Sequence, residues 1–328
     1  MRTLPIPRGE LSADLVETLT RPPGSAVPTA PTLDPYGEDL VLSLHTCYEL
    51  HYQGFAGVDE NWEWDPELLR LRRDLEHQFL DALRGDVPGG DDVQAELDRL
   101  LEPTTGTDGI AGFLAEHGTP DRLREYFTHR SIYHHIEADP YAWVIPRLRG
   151  QPKASLVAVE FDEYGGGRGE RVHAQLYADL LAGADLDPSY LHYLDVVPAP
   201  MLALVDMMSL FGLHRNLRGA LVGHFADVEI TSSPASRRLV DLTTTLLPHP
   251  ACAHFYAEHV EADAVHEQVL RRDVVAGLLS TEPDQAAAIV FGIQATNLLE
   301  DRFAEHVLTR WHNGRSSLRE LSAPVGSG

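Results

Sequence analysis

The sequence predicts an all-α fold, a bundle of about seven core helices preceded by a smaller helical segment. From residue 120 onward, nearly every segment between Gly and Pro breaks repeats its apolar residues with the period of an α-helix, as in RVHAQLYADLL. Runs with the alternating period of a strand are scarce. A length of 328 residues with 43% hydrophobic and 23% charged residues is sufficient for a core of this size.

The order of these patterns divides the chain into four parts. Residues 1–38 hold seven prolines and few large apolar residues, which predicts a flexible arm. Residues 39–118 predict an N-terminal helical segment, in which Asp65 and Pro66 are typical of an N-cap and a first helical position. Residues 119–315 predict the core of the bundle. Residues 316–328 are small and polar and predict a flexible tail.

Composition excludes several classes of protein. The 26 Lys and Arg against 50 Asp and Glu give a net charge of −24, which repels nucleic acid and anionic membrane surfaces. The longest apolar stretch, residues 196–213, includes Pro198, Pro200 and Asp206, so it predicts a buried core helix rather than a membrane span. Two cysteines cannot form a disulfide framework, and the N-terminus has no signal-peptide pattern, so we expect a cytoplasmic protein.

The sharpest local pattern is in HFYAEHVEADAVH. His259, Asp263 and His266 follow one another at intervals of four and three residues, so they lie on one face of a helix. Apolar Phe255 and Val274 continue the same stripe, which favours an inward face. An inward carboxylate between two imidazoles suits a divalent metal ion. The alternative is a solvated acidic face that carries incidental histidines.

A second acidic cluster lies in EFDEYGGGRGERVH. Glu170 and His173 have the Glu-x-x-His spacing of ferritin-like di-iron bundles. The triple glycine at residues 165–167 breaks the helix, so Glu163 and His173 could instead meet across a bend. The alternative is a loop rich in surface acids.

The remaining candidates carry weaker signals. Glu137 ends an amphipathic helix, and Asp139 with Pro140 has the pattern of the next helix start. His134 and His135 are adjacent, so at most one can face Glu137, and we interpret them as packing or supporting residues.

Two polar groups elsewhere have both a structural and a functional interpretation. His45, Glu49 and His51 could suggest a further metal site, but no second carboxylate at helical spacing completes it. For the second set, in a long apolar segment, a buried Arg–Glu pair is the structural interpretation, and an arginine that recognises a substrate carboxylate is the functional one. That set comprises Arg215, Arg218, His224 and Glu229.

The segments YHHIEADPYAWVIPRL, EFDEYGGGRGERVH, LRGALVGHFADVEITSS and HFYAEHVEADAVH, in that order, resemble the haem-oxygenase-like di-iron oxidases, also described as iron-containing redox enzymes. The resemblance covers about residues 121–311. It implies a haem-oxygenase-like bundle with an N-terminal helical extension. It also implies that Glu163, rather than Glu170, is a ligand. The implied ligand set for two Fe(II) ions is Glu137, Glu163, His173, His259, Asp263 and His266.

The resemblance further implies an oxidase or oxygenase that uses O2 as cosubstrate. Three carboxylates and three imidazoles suit Fe(II), with Mn(II) as a second choice. The implied substrate is a small amine or amino acid of specialised metabolism, which undergoes N-oxygenation, desaturation or C–C fragmentation. The family also suggests a homodimer. The alternatives are a metal-free relative with the same fold and a non-catalytic iron-binding or assembly protein.

Overall fold

The computed structural model describes residues 2–102 and 109–321, apart from the side chains of residues 261–264. Helices dominate this part of the chain, and none of its residues forms a strand. The all-α prediction is therefore confirmed. The α-helices, numbered in chain order, are α1 Glu10–Leu19, α2 Glu38–Glu49, α3 Pro66–Asp86, α4 Val93–Leu100, α5 Gly109–His117, α6 Pro120–His134, α7 Asp139–Ala142, α8 Gly150–Glu163, α9 His173–Gly183, α10 Ala199–Leu213, α11 Arg218–Leu246, α12 Pro250–Val269, α13 Ala276–Thr281 and α14 Ala286–His312.

Helix α10 lies at the centre of the molecule and packs against α2, α6, α11 and α14. Residues 199–212 are buried, apart from the half-buried Pro200, so the apolar stretch is a core helix as its prolines and Asp206 predicted. The buried Asp206 accepts a hydrogen bond from His45 of α2 at 3.0 Å, which compensates for part of the cost of burial. Within the described part of the chain, no helix is both long and apolar enough to cross a membrane.

Helix α11 packs against both α12 and α14, α11 and α14 also pack on α10, and α9 packs against α12. Glycines set the distance between α11 and α14. A Cβ atom on Gly223 would lie 2.1 Å from the carbonyl oxygen of Ile289, and one on Gly292 would lie 2.0 Å from that of Ala220. The two backbones therefore approach as closely as they do because neither residue has a side chain.

Helix α11 contains a proline: Pro234 lies inside one continuous helix over Arg218–Leu246. Because α11 packs against α12 and α14, tertiary contacts compensate for the hydrogen bond that the proline cannot donate. A π-helical turn over Leu270–Val275 follows α12 immediately.

The first 38 residues do not form the flexible arm that their composition predicted. Helix α1 lies within them, and its Leu15 and Leu19 are fully buried in the same core as the rest of the chain. Arg2 pairs with Asp195, which ties the start of the chain to the segment before α10. The prolines flank this short amphipathic helix, and the apolar stripe of α1 packs against α2, a helix that follows it in the chain.

The start of the C-terminal tail is also held in place. His129 Nε2 lies 2.8 Å from the Ser317 hydroxyl, and Arg319 donates to the Asp195 carbonyl at 2.7 Å. The expectation of a flexible tail is wrong for residues 316–321, because Ser317 and Arg319 bind polar groups of the core. Residues 322–328 lie outside the described part of the chain.

We expect Gly223→Ala to lower the free energy of unfolding by about 1–3 kcal/mol, because the added methyl group collides with the backbone of α14. Gly85→Ala is the matched control: Gly85 lies in an exposed part of α3 with open space around it. The control should raise stability by roughly 0.5–1 kcal/mol. Chemical denaturation of both variants tests the expectation, and equal stabilities would contradict it.

Candidate metal centre

Two groups of buried side chains in the described part of the chain have ligand atoms that converge closely enough for a metal ion. Glu137, His173 and His259 form the first group, in which one ligand atom from each residue lies within 4.8 Å of the others. The two imidazole rings are 4.5 Å apart between centroids. Glu137 lies in the connection between α6 and α7, His173 begins α9, and His259 lies in the middle of α12.

Neighbouring groups orient the ligands of the first group. His134, at the end of α6, donates from Nδ1 to Glu137 Oε2 at 2.9 Å. His259 donates from Nδ1 to the carbonyl oxygen of Phe255 at 2.8 Å. Its Nε2 atom therefore points towards Glu137, and lies 3.8 Å from Oε2 of that residue. Such hydrogen bonds fix the ring orientation of metal-binding histidines in proteins.

Glu163, Glu229 and His266 form the second group, again with ligand atoms within 4.8 Å of one another. His266 lies at the end of α12, and its Nδ1 is 3.2 Å from Glu229 Oε2 on α11. The other ring nitrogen, Nε2, is 3.3 Å from Asp162 Oδ2. The His266 side chain is 3% exposed whereas the Asp162 side chain is 60% exposed, so the second group lies just beneath the molecular surface.

Glu163 lies between the two groups. One of its oxygens, Oε2, is 2.6 Å from His173 Nδ1 of the first group. The other, Oε1, is 3.6 Å from His266 Nδ1 of the second group. The carboxylate of Glu163 thus faces an imidazole of each group.

A glycine turn brings Glu163 to His173. Gly165, Gly166 and Gly167 all have positive φ angles, which side chains other than hydrogen disfavour. A Cβ atom on Gly165 would lie 2.6 Å from the carbonyl carbon of Arg171, so the turn closes tightly on itself. The chain reverses within ten residues, and the end of α8 meets the start of α9, as the interpretation of a bend required.

Burial and mutual charge shift the pKa values of both groups. Burial by itself raises the pKa of Glu137, but the His134 charge and hydrogen bonds from His134 and His259 hold that pKa well below its ordinary value. Burial lowers the pKa of His266, yet the hydrogen bond and charge of Glu229, with the charge of Glu163, raise it to about 9. His266 is therefore an imidazolium at neutral pH, and a metal ion that binds it must displace the proton.

The donor set fits a pair of divalent metal ions. Three carboxylates and three imidazoles provide oxygen and nitrogen ligands, which suit Fe(II) or Mn(II) better than a soft ion such as Cu(I). The buried carboxylates repel one another and need positive charge nearby, which two dications would provide. Without metal, the His266 imidazolium is the one positive charge within the second group of three residues that compensates its carboxylates.

The structure brings together five of the six residues that the resemblance implied. Of the sixth, Asp263, the side chain lies outside the described residues. His259 and His266 are 6% and 2% exposed, so the alternative of a solvated face is wrong for these two residues. Their role as metal ligands stays a prediction.

Sequence reasoning missed Glu229. We interpreted it as half of a buried Arg–Glu pair, and that interpretation is wrong: Arg218 pairs with Glu282, Arg215 is exposed, and Glu229 contacts His266. The available signal was an acidic residue in a largely apolar stretch of α11, which Asp227 in the same stretch also offers. That signal does not reveal its partner, which lies 37 residues further along the chain.

The structure also shows where the three other candidate residues lie, namely Glu170, His134 and His135. Glu170 is exposed on the turn before α9 and belongs to neither group. His134 contacts Glu137, whereas His135 turns its ring towards Tyr190, with the ring centroids 5.8 Å apart. This agrees with the expectation that at most one of the two histidines faces Glu137.

The N-terminal group of polar residues does not converge. His45 contacts Asp206, Glu49 accepts a hydrogen bond from Tyr190, and His51 contacts Glu63. The three side chains therefore satisfy three separate partners, and they form no metal site among the described residues.

Two further acids lie beside the ligands. Glu160, one turn before Glu163 on α8, is 3% exposed, and neither of its carboxylate oxygens has a hydrogen-bond partner among the described residues. The sequence position of Asp139 predicted that it caps α7, but the cap residue is Ala138 and α7 begins at Asp139 itself. Its carboxylate accepts a hydrogen bond from Tyr164 at 2.8 Å instead, because Tyr164 follows Glu163 directly and carries its hydroxyl to this place.

The fold and the two ligand groups define a helical-bundle protein with buried carboxylate and histidine side chains that could hold metal ions. The chain belongs to the family of iron-containing redox enzymes, whose sequence pattern it matches over residues 124–301. The family resemblance inferred from the sequence is thereby confirmed, and the protein is an oxidoreductase of an iron-containing class. A search of curated proteins found no match to the chain.

We expect Glu160→Gln to change how the stability of the metal-free protein depends on pH. Burial, followed by the charges of Glu163, Glu229 and Asp139, raises the pKa of Glu160 from 4.5 to about 9. Between these pH values the folded chain holds a proton on Glu160 that the unfolded chain releases. The contribution of Glu160 to the free energy of unfolding of the wild type therefore falls as pH rises. The variant lacks this contribution. Its stability relative to wild type should therefore increase by on the order of 1 kcal/mol per pH unit between pH 5 and pH 9.

Thermal denaturation of the metal-free proteins at several pH values measures this difference. Glu170→Gln removes an exposed acid from the same part of the molecule and should follow the wild type throughout. A constant difference between Glu160→Gln and wild type at every pH would contradict the expectation.

Proposed function

We propose that this protein is an O2-dependent, non-haem di-iron oxidase or oxygenase. The observation that carries the proposal is the position of Glu163, whose two oxygens face His173 in one ligand group and His266 in the other. A carboxylate in that position can serve two metal ions at once. The family membership supports iron as the metal.

In this proposal, Glu137, His173 and His259 hold one iron, and Glu229 and His266 hold the other, with Glu163 between them. A pair of ferrous ions, when bound, supplies the electrons for the reduction of O2. The ligands are buried and packed against apolar side chains such as Phe255, which exclude water from the centre. His134 and the Phe255 carbonyl hold Glu137 and His259 in orientation, so the site is organised before metal arrives.

The proposed substrate is a small amine or amino acid of specialised metabolism, which undergoes N-oxygenation or a C–H cleavage that leads to desaturation or C–C fragmentation. The resemblance supports this class. The net charge of −24 also favours a cationic or zwitterionic substrate over a fatty acid. We place the reaction in the cytoplasm, since both cysteines are buried free thiols.

An anaerobic Fe(II) titration of the full chain tests the proposal. We expect the wild type to bind two irons and to consume O2 when air is admitted. Glu229→Ala and His266→Ala should each bind about one iron fewer, because each removes a ligand of the second group. Glu170→Gln, which alters an exposed acid, should retain both irons.

Other outcomes would point to the alternative functions. A wild type without a defined iron ratio would contradict the di-iron assignment and favour a metal-free relative. Tight binding of iron with no consumption of O2, with or without candidate amines, would favour a non-catalytic iron-binding protein.

A further inference from the structure

Glu160 is a buried acid that neither ligand group uses. It lies on the inner face of α8 and is 3% exposed, with both oxygens lacking a hydrogen-bond partner among the described residues. The ligand atoms that converge in the second group come from Glu163, Glu229 and His266, and Glu160 is not among them. It therefore lies beside the proposed metal centre without belonging to it.

The charges around Glu160 are mostly negative. Glu163, Glu229 and Asp139 all lie near enough to act on its carboxyl group, and the charge of His266 acts in the opposite direction. The His266 ring is already engaged, because Nδ1 contacts Glu229 and Nε2 contacts Asp162. Asp139 accepts from Tyr164, which leaves that hydroxyl no proton for Glu160. Among the described side chains, none thus supplies Glu160 with a cation of its own.

A carboxylate in this position costs several kcal/mol unless a cation or a proton accompanies it. A purely structural role would favour a glutamine or an apolar residue of similar volume. A ligand that carries positive charge into the site would instead gain a desolvated, charge-assisted hydrogen bond. An ammonium group suits both open oxygens, because it has three donors and no acceptor.

We propose that Glu160 is the residue that recognises the substrate, by binding the ammonium group of a primary amine or amino acid. This assignment rests on the proposed function, since it places the amine one helical turn from Glu163. The carbon atoms next to the nitrogen then lie beside the two ligand groups. Glu160 would thus determine which substrates are positioned for oxidation.

An exposed acidic side chain lies between solvent and the second group. Asp162, which follows Glu160 by two residues, is 60% exposed and still reaches His266 at 3.3 Å. A cation that approaches the surface between α8 and α12 therefore meets Asp162 before it meets the buried centre. Attraction by the overall negative charge raises the local concentration of such a ligand.

Isothermal titration calorimetry of the full chain with n-pentylamine and 1-pentanol tests this assignment, because the two probes have the same length and differ in charge. We expect the amine to bind roughly tenfold or more tightly than the alcohol. Glu160→Gln should abolish that preference without changing the alcohol affinity, the iron content or the helical circular dichroism. Glu160→Asp, which keeps the charge, should retain part of the preference. Glu170→Gln should retain all of it.

The titrations are made on the anaerobic Fe(II) form and on the metal-free form, which separates this assignment from the proposed function. A chain that prefers the amine through Glu160 but binds no iron would overturn the di-iron proposal alone. A chain that binds two irons but shows no preference for the amine would overturn the assignment of Glu160 alone. Loss of iron in Glu160→Gln, with the amine preference unchanged, would make Glu160 part of the metal centre and would also overturn the assignment.

Discussion

The burial of three carboxylates and three imidazoles inside an apolar bundle is the constraint on which the rest of the structure depends. Charged groups in such surroundings must be compensated, and here they partly compensate one another. Glu163 has a central place because it contacts His173 with one oxygen and approaches His266 with the other. The fold gathers these side chains from α8, α9, α11, α12 and the connection after α6.

Local backbone features make that gathering possible. Three glycines reverse the chain between α8 and α9, and a bulkier residue at Gly165 would collide with the backbone of Arg171. The His259 ring is oriented by a group on its own helix, since it donates to the Phe255 carbonyl one turn earlier. The close approach of α11 and α14 through Gly223 and Gly292 gives the helix that carries Glu229 a fixed position. Packing and site geometry therefore depend on the same contacts.

The acids around the proposed metal centre do not contribute equally to stability. Glu137 gains hydrogen bonds that favour its charged form, whereas Glu160 has none from the described residues and is held at the expense of stability. Residues that weaken the fold commonly lie at sites of function, where a ligand later supplies the missing interaction. This contrast separates the acids that hold the proposed metals from the acid that we assign to the substrate.

The sequence by itself determined the helical class, the core role of α10 and the shared face of His259 and His266, because helical periodicity is a local property. The glycine run similarly indicated that Glu163 and His173 could meet. Only the tertiary structure decided that Glu229 joins His266, that Asp139 binds Tyr164 rather than capping a helix, and that residues 10–19 are ordered. Each of these depends on a partner that is distant in the sequence, and the local pattern of residues holds no information about which distant group will be adjacent after folding.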